Sequence, residues 1–379
     1  MKDKKKYIIP IVLIMCLVVV CILGHFLFDN RTNNKIEHVV ATKSVYVEKT
    51  PLPVIYRHIT TEIAGNRQEI NVLEIDLSAG NTKITPALSH DRLFGFEELS
   101  SIFARSNAYA AINAGFFYEY GDPSGMVVID GRIITKSSGE FPVFVVKEQQ
   151  ARLAQIKNEI YMLHSGKRID VSKVNRMAIS GNVILYTTDF GTDNRAEISN
   201  TSIVIKNNKV QKVLKTKTST NIPKDGMVLT FYEPYKYDFD LSFIKQGDDI
   251  KMVCKPEITP DMQAYECGSW IVKDGKNVAL TRDVWVGLLT NRDPRTVVGI
   301  KPDGTVVLMT IDGRQPAYSV GVSSKELADY IIKYGVQDAA MLDGGASTEM
   351  IVKGKIVNKP SFKGRERPLG GALLIELVE

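Results

Sequence analysis

The sequence predicts an α+β fold, a single large strand-rich domain with few helices, preceded by one N-terminal transmembrane helix. Three observations carry this reading. Short β-branched runs recur with Asp-Gly turns between them. Only two segments show helical periodicity, and they do not alternate with the strands. Residues 7–28 form an apolar stretch without Asp, Glu, Lys or Arg. The chain has 379 residues, 44% of them hydrophobic and 24% charged, which excludes a disordered, collagen-like or wholly membrane-embedded protein. A net charge of +5 over this length is too small to argue a nucleic-acid binder. Four cysteines do not make a disulfide scaffold.

Residues 1–6, MKDKKK, form a basic tail that the positive-inside rule keeps cytoplasmic. Residues 7–28 would span roughly 33 Å as a helix, enough to cross a hydrocarbon core of about 30 Å. A cleaved signal peptide usually has a shorter apolar region and a small-x-small end. Here the end reads HFLFDN, so an uncleaved signal-anchor is expected. The expected location is the cell membrane, single-pass, with the C-terminal part extracytoplasmic. Residues 29–60 are polar, carry Pro51 and Pro53, and read as a stalk; the folded ectodomain is expected over 61–379. Disulfides persist outside the cell, and Cys254 and Cys267 are the only ectodomain pair. A bridge and two buried free thiols both fit.

Within the ectodomain the first helix is expected at Phe96–Arg105. GMVVI-DG-RIIT (Gly125–Thr135) then reads as a hairpin, because two-residue turns need positive φ and Asp-Gly supplies it. Residues 150–215 read as β-rich, Lys-rich decoration within the same domain. WIVK-DG-KNVAL (Trp270–Leu280), TVVGIKP-DG-TVVLMTI (Thr296–Ile311) and MIVK-GK-IVN (Met350–Asn358) are further hairpins. Ser324–Tyr334 is the better helix. Ser323 and Glu326 make a capping box, Leu327, Ala328, Ile331 and Ile332 form one apolar face, and Gly335 ends it. Ala339–Leu342 reads as a short buried strand running into the loop DGGAST.

Histidine is scarce, with five in the chain, and none has triad-like or metal-like spacing. G-x-S-x-G, Walker, H-E-x-x-H and C-x-x-C motifs are all missing, so acid–base work falls to carboxylates. No cofactor is called for, and no metal-ligand set is assigned. Asp343 to Thr348 place a carboxylate, two glycines and two hydroxyls after a buried strand, where Gly344 and Gly345 allow close backbone approach to an anion. A tight structural turn is the alternative. Arg292 and Arg295 flank Asp293-Pro294 and either clamp a phosphate or form a surface ion-pair turn. Asp312, Gly313 and Arg314 end another strand, as a site or as a further hairpin. In Ala111–Phe117, AINAGFF, Asn113 with two aromatics suits a sugar pocket, or is a buried hydrogen-bonded core residue. Arg365 and Arg367 offer further guanidinium groups, or a solvated charge run. Glu326 is explained by the capping box.

Taken together these words resemble the phosphodiester glycosidase family. The likeness rests on AINAGFF, DPSGMVVIDG (Asp122–Gly131), GSWIVKDG (Gly268–Gly275) and RTVVGI-x-x-DG (Arg295–Gly304). It continues through Asp312–Arg314, KELADYIIKYG (Lys325–Gly335), MLDGGAST (Met341–Thr348) and Arg365–Ile375, over roughly residues 70–375. Two departures stand out: DGGAS where the family usually reads DGGGS, and Cys267-Gly268 where it tends to have Gly-Gly.

The resemblance implies a glycosidase that hydrolyses a sugar-1-phosphodiester and leaves a phosphomonoester on the acceptor, the sugar being of N-acetylglucosamine type. Breaking the anomeric C–O bond builds positive charge that a carboxylate stabilises, while guanidinium and backbone N–H groups hold the departing phosphate. On this reading Asp343 is the essential carboxylate, as nucleophile or base, and Asp312 its acid–base or water-positioning partner. Arg295 and the Gly344–Ser347 loop hold the phosphate, with Arg314 and Arg367 as further contacts, and Asn113 binds sugar hydroxyls. The expected partners are a sugar-phosphate diester or surface glycan and the membrane, the latter through residues 7–28. The alternatives are a non-catalytic carbohydrate-binding ectodomain and a scaffold of a cell-surface polysaccharide system.

Overall fold

In the computed structural model, which describes residues 53–234 and 241–378, the β-branched runs form strands and the Asp-Gly dipeptides turn them. Asp130 and Asp274 have φ of 46° and 51°, each followed by a glycine at about 70°, as a two-residue hairpin turn requires. The Thr296–Ile311 hairpin closes instead through a longer loop, in which Lys301 N–H donates to Thr305 O. The last hairpin turns at Lys353-Gly354 (φ 51° and 76°), one residue earlier than expected. That register lets Ile351 pair with Ile356.

The central sheet has seven antiparallel strands, in the order Val54–Ile63, Asn66–Ile75, Val306–Ile311, Arg295–Ile300, Asp338–Met341, Trp270–Lys273, Lys276–Asn277. Alternation sorts its side chains. Leu73, Ile75, Val298, Val306 and Leu308 point to one side, into the main core. Val72, Val297, Val307 and Met309 point to the other, onto Leu327, Ala328 and Ile331 of the helix Ser324–Lys333. Both faces are covered, so VVLMTI is apolar except for the buried Thr310. That helix carries the complete capping box.

Across the main core lies a five-stranded antiparallel sheet, ordered Lys355–Ile356, Met350–Val352, Ala110–Asn113, Gly371–Leu377, Thr82–Leu88. Ala110 and Ile112 face the core, while Ala111 faces the short helix Leu99–Ala104. The layers therefore run helix, sheet, sheet, helix. The first helix is six residues rather than the expected ten, because Glu97 instead bridges Leu369 as extended chain. Residues 159–255 add a three-stranded and a five-stranded sheet around a separate apolar cluster; the decoration expected over 150–215 starts later and runs further, because Gln150–Gln155 pairs with Pro142–Lys147 in a different sheet.

One further expectation changes. Val54–Thr60, assigned to the stalk, lie in the edge strand Val54–Ile63, which pairs along its whole length with Asn66–Ile75, so the folded unit starts before residue 61. Cys254 and Cys267 are free thiols, packed in two different apolar clusters, and they form no bridge. The tail, the apolar stretch 7–28 and residues 29–52 lie outside the described residues. Among the described residues no helix is long and apolar enough to cross a membrane.

Candidate active site

Antiparallel pairing brings several strand ends to one edge of the sandwich. Arg295 pairs with Ile311, Val297 with Met341, and Met350 with Ile112. The loops leaving these ends enclose a cavity of about 330 Å³. Asp343, Gly344, Gly345, Arg295, Arg314 and Arg367 line it, with Asp293, Phe116, Phe117 and Trp285. Residues separated by more than two hundred positions thus share one cleft.

Asp343 sits at its base, its side chain 14% exposed. Ser347 Oγ donates to Asp343 Oδ2 at 2.6 Å, and Arg367 Nη1 donates to Ser347 Oγ at 2.7 Å while standing 3.9 Å from Oδ2. Burial pushes the carboxyl up to about 6; the Ser347 bond, the Arg367 charge and the Gly344 N–H hold it back from rising further. Arg367 also covers the Phe117 ring at 5.3 Å. Ser347 is fully buried, so it couples Arg367 to Asp343 rather than facing the cavity as expected. Gly345 has φ +60°, and a Cβ there would stand 3.1 Å from Arg314 Nη2. Ala346 does not have positive φ, so the extra methyl in DGGAS costs no strain.

Arg295 is 2% exposed. Its Nε donates to Val322 O at 3.0 Å and its Nη2 to Asn291 O at 2.9 Å, so much of its donor capacity holds backbone while one side lines the cavity. Burial lowers its pKa, and Asp293 and Asp283 work against that. Arg314 Nε donates to Asp293 Oδ1 at 2.8 Å, and its side chain is half-exposed. Arg292 forms no phosphate clamp: its Nε donates to both Glu326 carboxylate oxygens at 3.2 Å, and Glu326 is held down to about 2 by that bonding.

Besides Ser347, two expected site residues, Asn113 and Asp312, do not reach the cavity. Asn113 is 1% exposed and fully engaged. It donates to Asp343 O (2.6 Å) and Ala114 O (3.2 Å), and it accepts from Thr296 Oγ1 (3.0 Å) and Glu349 N–H (3.1 Å). It positions the Asp343 backbone and has no group left for sugar hydroxyls. Asp312 is buried beneath the cleft, accepting from Asn358 Nδ2 at 3.0 Å and Lys359 N–H at 2.9 Å. Burial raises its pKa, and these bonds offset part of the rise. The carboxylate that does share the cavity with Asp343 is Asp293. Asp312→Asn is expected to turn one of those two bonds into a donor–donor clash and cost about 1–3 kcal/mol of stability. Turnover per folded molecule should stay within twofold, as urea melts and active-site-normalised rates would show. A hundredfold loss with intact stability would return Asp312 to a catalytic role.

Trp285, Asp293 and Glu349 escaped the sequence reading. Trp285 stacks on Phe116 (5.5 Å, 14°) and stands edge-on to Tyr118. Gly268 permits this packing: a Cβ there would lie 2.5 Å from Phe116. A lone Trp between two valines in an otherwise polar turn was the signal available. Glu349 is buried under Arg367, accepts its N–H at 2.6 Å, and is pushed up to about 8 by burial.

The phosphodiester glycosidase family profile matches residues 182–376. That span holds every cavity residue except Phe116 and Phe117, and it starts well after the expected residue 70, leaving AINAGFF and DPSGMVVIDG outside. A SPbeta prophage-derived protein of Bacillus subtilis is 34% identical over 160 residues, 40% of this chain and 24% of that one. The chain thus spans about a quarter of that relative's length. A solved Synechocystis structure superposes with TM-score 0.72 at 17% identity, covering 86% of this chain and 62% of that one. A Burkholderia pseudomallei structure gives 0.67 at 23%, covering 82% and 74%. Both show the same fold.

Proposed function

Because the chain belongs to the phosphodiester glycosidase family, we propose that it hydrolyses a sugar-1-phosphodiester, releasing the sugar and leaving a phosphomonoester on the acceptor. The observation that carries this reading is the single cavity in which a buried carboxyl with a pKa near 6 meets three guanidinium groups, those of Arg295, Arg314 and Arg367. Phosphate is a competent leaving group, so the barrier lies in the positive charge that develops at the anomeric carbon. Asp343, ionised, attacks or shields that carbon. Arg314 and Arg367 hold the phosphate oxygens as their charge grows. Asp293 orients Arg314 and is the second carboxylate within reach of a water. The Phe116, Phe117 and Trp285 rings offer apolar surface to a sugar face.

The sugar is proposed to be of N-acetylglucosamine type. The folded unit is proposed to stand outside the cell membrane on an anchor at residues 7–28, supported by the charge-free apolar stretch behind a basic tail. The test is incubation of the protein with methyl N-acetylglucosaminyl phosphate. Free sugar and methyl phosphate should appear in equal amounts; no release from this or any other sugar-1-phosphodiester would remove the reading.

The carboxylate must be ionised to act, so kcat/KM should rise with pH through about 6. Arg367→Ala removes a charge that holds the Asp343 pKa down, so its rising limb should move to higher pH, alongside a KM raised by roughly tenfold or more. An unmoved limb would uncouple Arg367 from Asp343.

A further inference from the structure

Beside the charged cavity runs a mainly apolar groove of about 370 Å³, lined by Phe141, Pro142, Trp270, Val278 and Leu280 together with Glu140, Ser269 and Lys273. The hairpin Arg282–Leu288 separates the two and joins them. Its Trp285 lines the cavity and meets the Phe141 ring at 6.2 Å. Asp283 fixes the turn, accepting from Trp285 N–H (3.0 Å), Val286 N–H (2.7 Å) and Ser269 Oγ (3.1 Å). The lip is aliphatic and open to solvent: Val284 is 77% exposed, Leu280 51% and Leu288 47%. This lip offers methyl groups, and it lies next to guanidinium groups suited to a phosphate.

We propose that the groove receives an aliphatic chain on the acceptor side of the phosphate, so that the substrate is an amphiphile: a sugar-1-phosphate esterified to an alkyl or isoprenoid chain. The proposal rests on the cavity reading above for the placement of the phosphate. Trp285 Nε1, buried and without an acceptor among the described residues, stands at the junction of groove and cavity.

The chain has two tryptophans, Trp270 and Trp285, one on the groove and one on the cavity, so intrinsic fluorescence reports on both. Methyl phosphate and octyl phosphate, the latter below its micelle concentration, are titrated into the full chain. Octyl phosphate should bind at least about thirtyfold more tightly, since each buried methylene adds favourable transfer energy. It should perturb Trp270 as well as Trp285, as read in Trp270→Phe and Trp285→Phe. Leu280→Ser with Val284→Ser, both at exposed positions that do not line the cavity, should cut that preference below about fivefold and leave methyl phosphate affinity within twofold. Equal affinities for the two phosphates overturn the proposal, as does a preference that survives the double substitution. Methyl and octyl N-acetylglucosaminyl phosphates, assayed in parallel, separate it from the reading it rests on. Equal turnover of both without octyl preference removes the groove and keeps the hydrolase. Octyl preference without turnover of either diester keeps the groove and removes the hydrolase.

Discussion

Asp343→Asn is expected to lower kcat on a sugar-1-phosphodiester by about three orders of magnitude or more without lowering the melting temperature at pH 7. The two halves have one cause. The carboxyl is buried, and burial lifts its pKa to about 6. An acid with a raised folded-state pKa binds its proton more tightly in the native protein than in the unfolded chain. Its contribution to stability is therefore greatest below the unfolded value, near 4, and falls as pH rises through about 6. At pH 7 the ionised group costs the fold on the order of 2–3 kcal/mol. Asparagine keeps the shape and removes the charge, so the proposed reaction loses its carboxylate and the fold loses a liability. Thermal melts at pH 4 and pH 7 beside initial rates check both halves. A variant that keeps more than a tenth of wild-type turnover would end the catalytic assignment, and one that melts much lower at pH 7 would make the residue a structural turn.

Asn113→Ala is expected to give the largest stability loss, about 3 kcal/mol, with turnover reduced even in the folded fraction. The side chain joins the strand Ala110–Asn113, Thr296 on the opposing sheet, and both ends of the Asp343–Glu349 loop. Truncation strands Asp343 O and Glu349 N–H in a buried setting, at about 1–3 kcal/mol for each unsatisfied group. Thr296 Oγ1 retains Thr348 Oγ1 at 3.2 Å, which softens the third loss. Because the amide fixes the Asp343 backbone, the carboxylate should wander and kcat should fall while KM moves little. Urea denaturation and steady-state kinetics test this. Unchanged stability, with KM alone raised, would instead make Asn113 a substrate contact.

Local chemistry was legible in the sequence. The Ser323–Glu326 capping box, the Asp-Gly hairpins and the run into Asp343 are written in neighbouring residues, and the cleft does unite Asp343 with Arg295, Arg314 and Arg367. The face a side chain takes at a strand end was not legible. Asp312 and Asp293 both sit at strand ends with arginines nearby, and only pairing geometry turns Asp293 to the cavity and Asp312 toward Asn358. Whether Asn113 binds a sugar or is a hydrogen-bonded core residue was left open, because its partners, Thr296 and Glu349, lie more than 180 positions away. The start of the first strand was hidden for a similar reason. Val54–Thr60, VIYRHIT, show no polar–apolar alternation that would mark a strand, and the two prolines before them looked like linker.

The strand Asn66–Ile75 is hydrogen-bonded on one side to its own hairpin and on the other to Val306–Ile311. During synthesis some 230 residues separate the two, so the apolar edge of Asn66–Ile75 stays open until most of the chain has been made. Folding of this domain is thus delayed to near-completion of translation, and a ribosome pause or a truncation before residue 306 leaves an adhesive intermediate rather than a half-built domain.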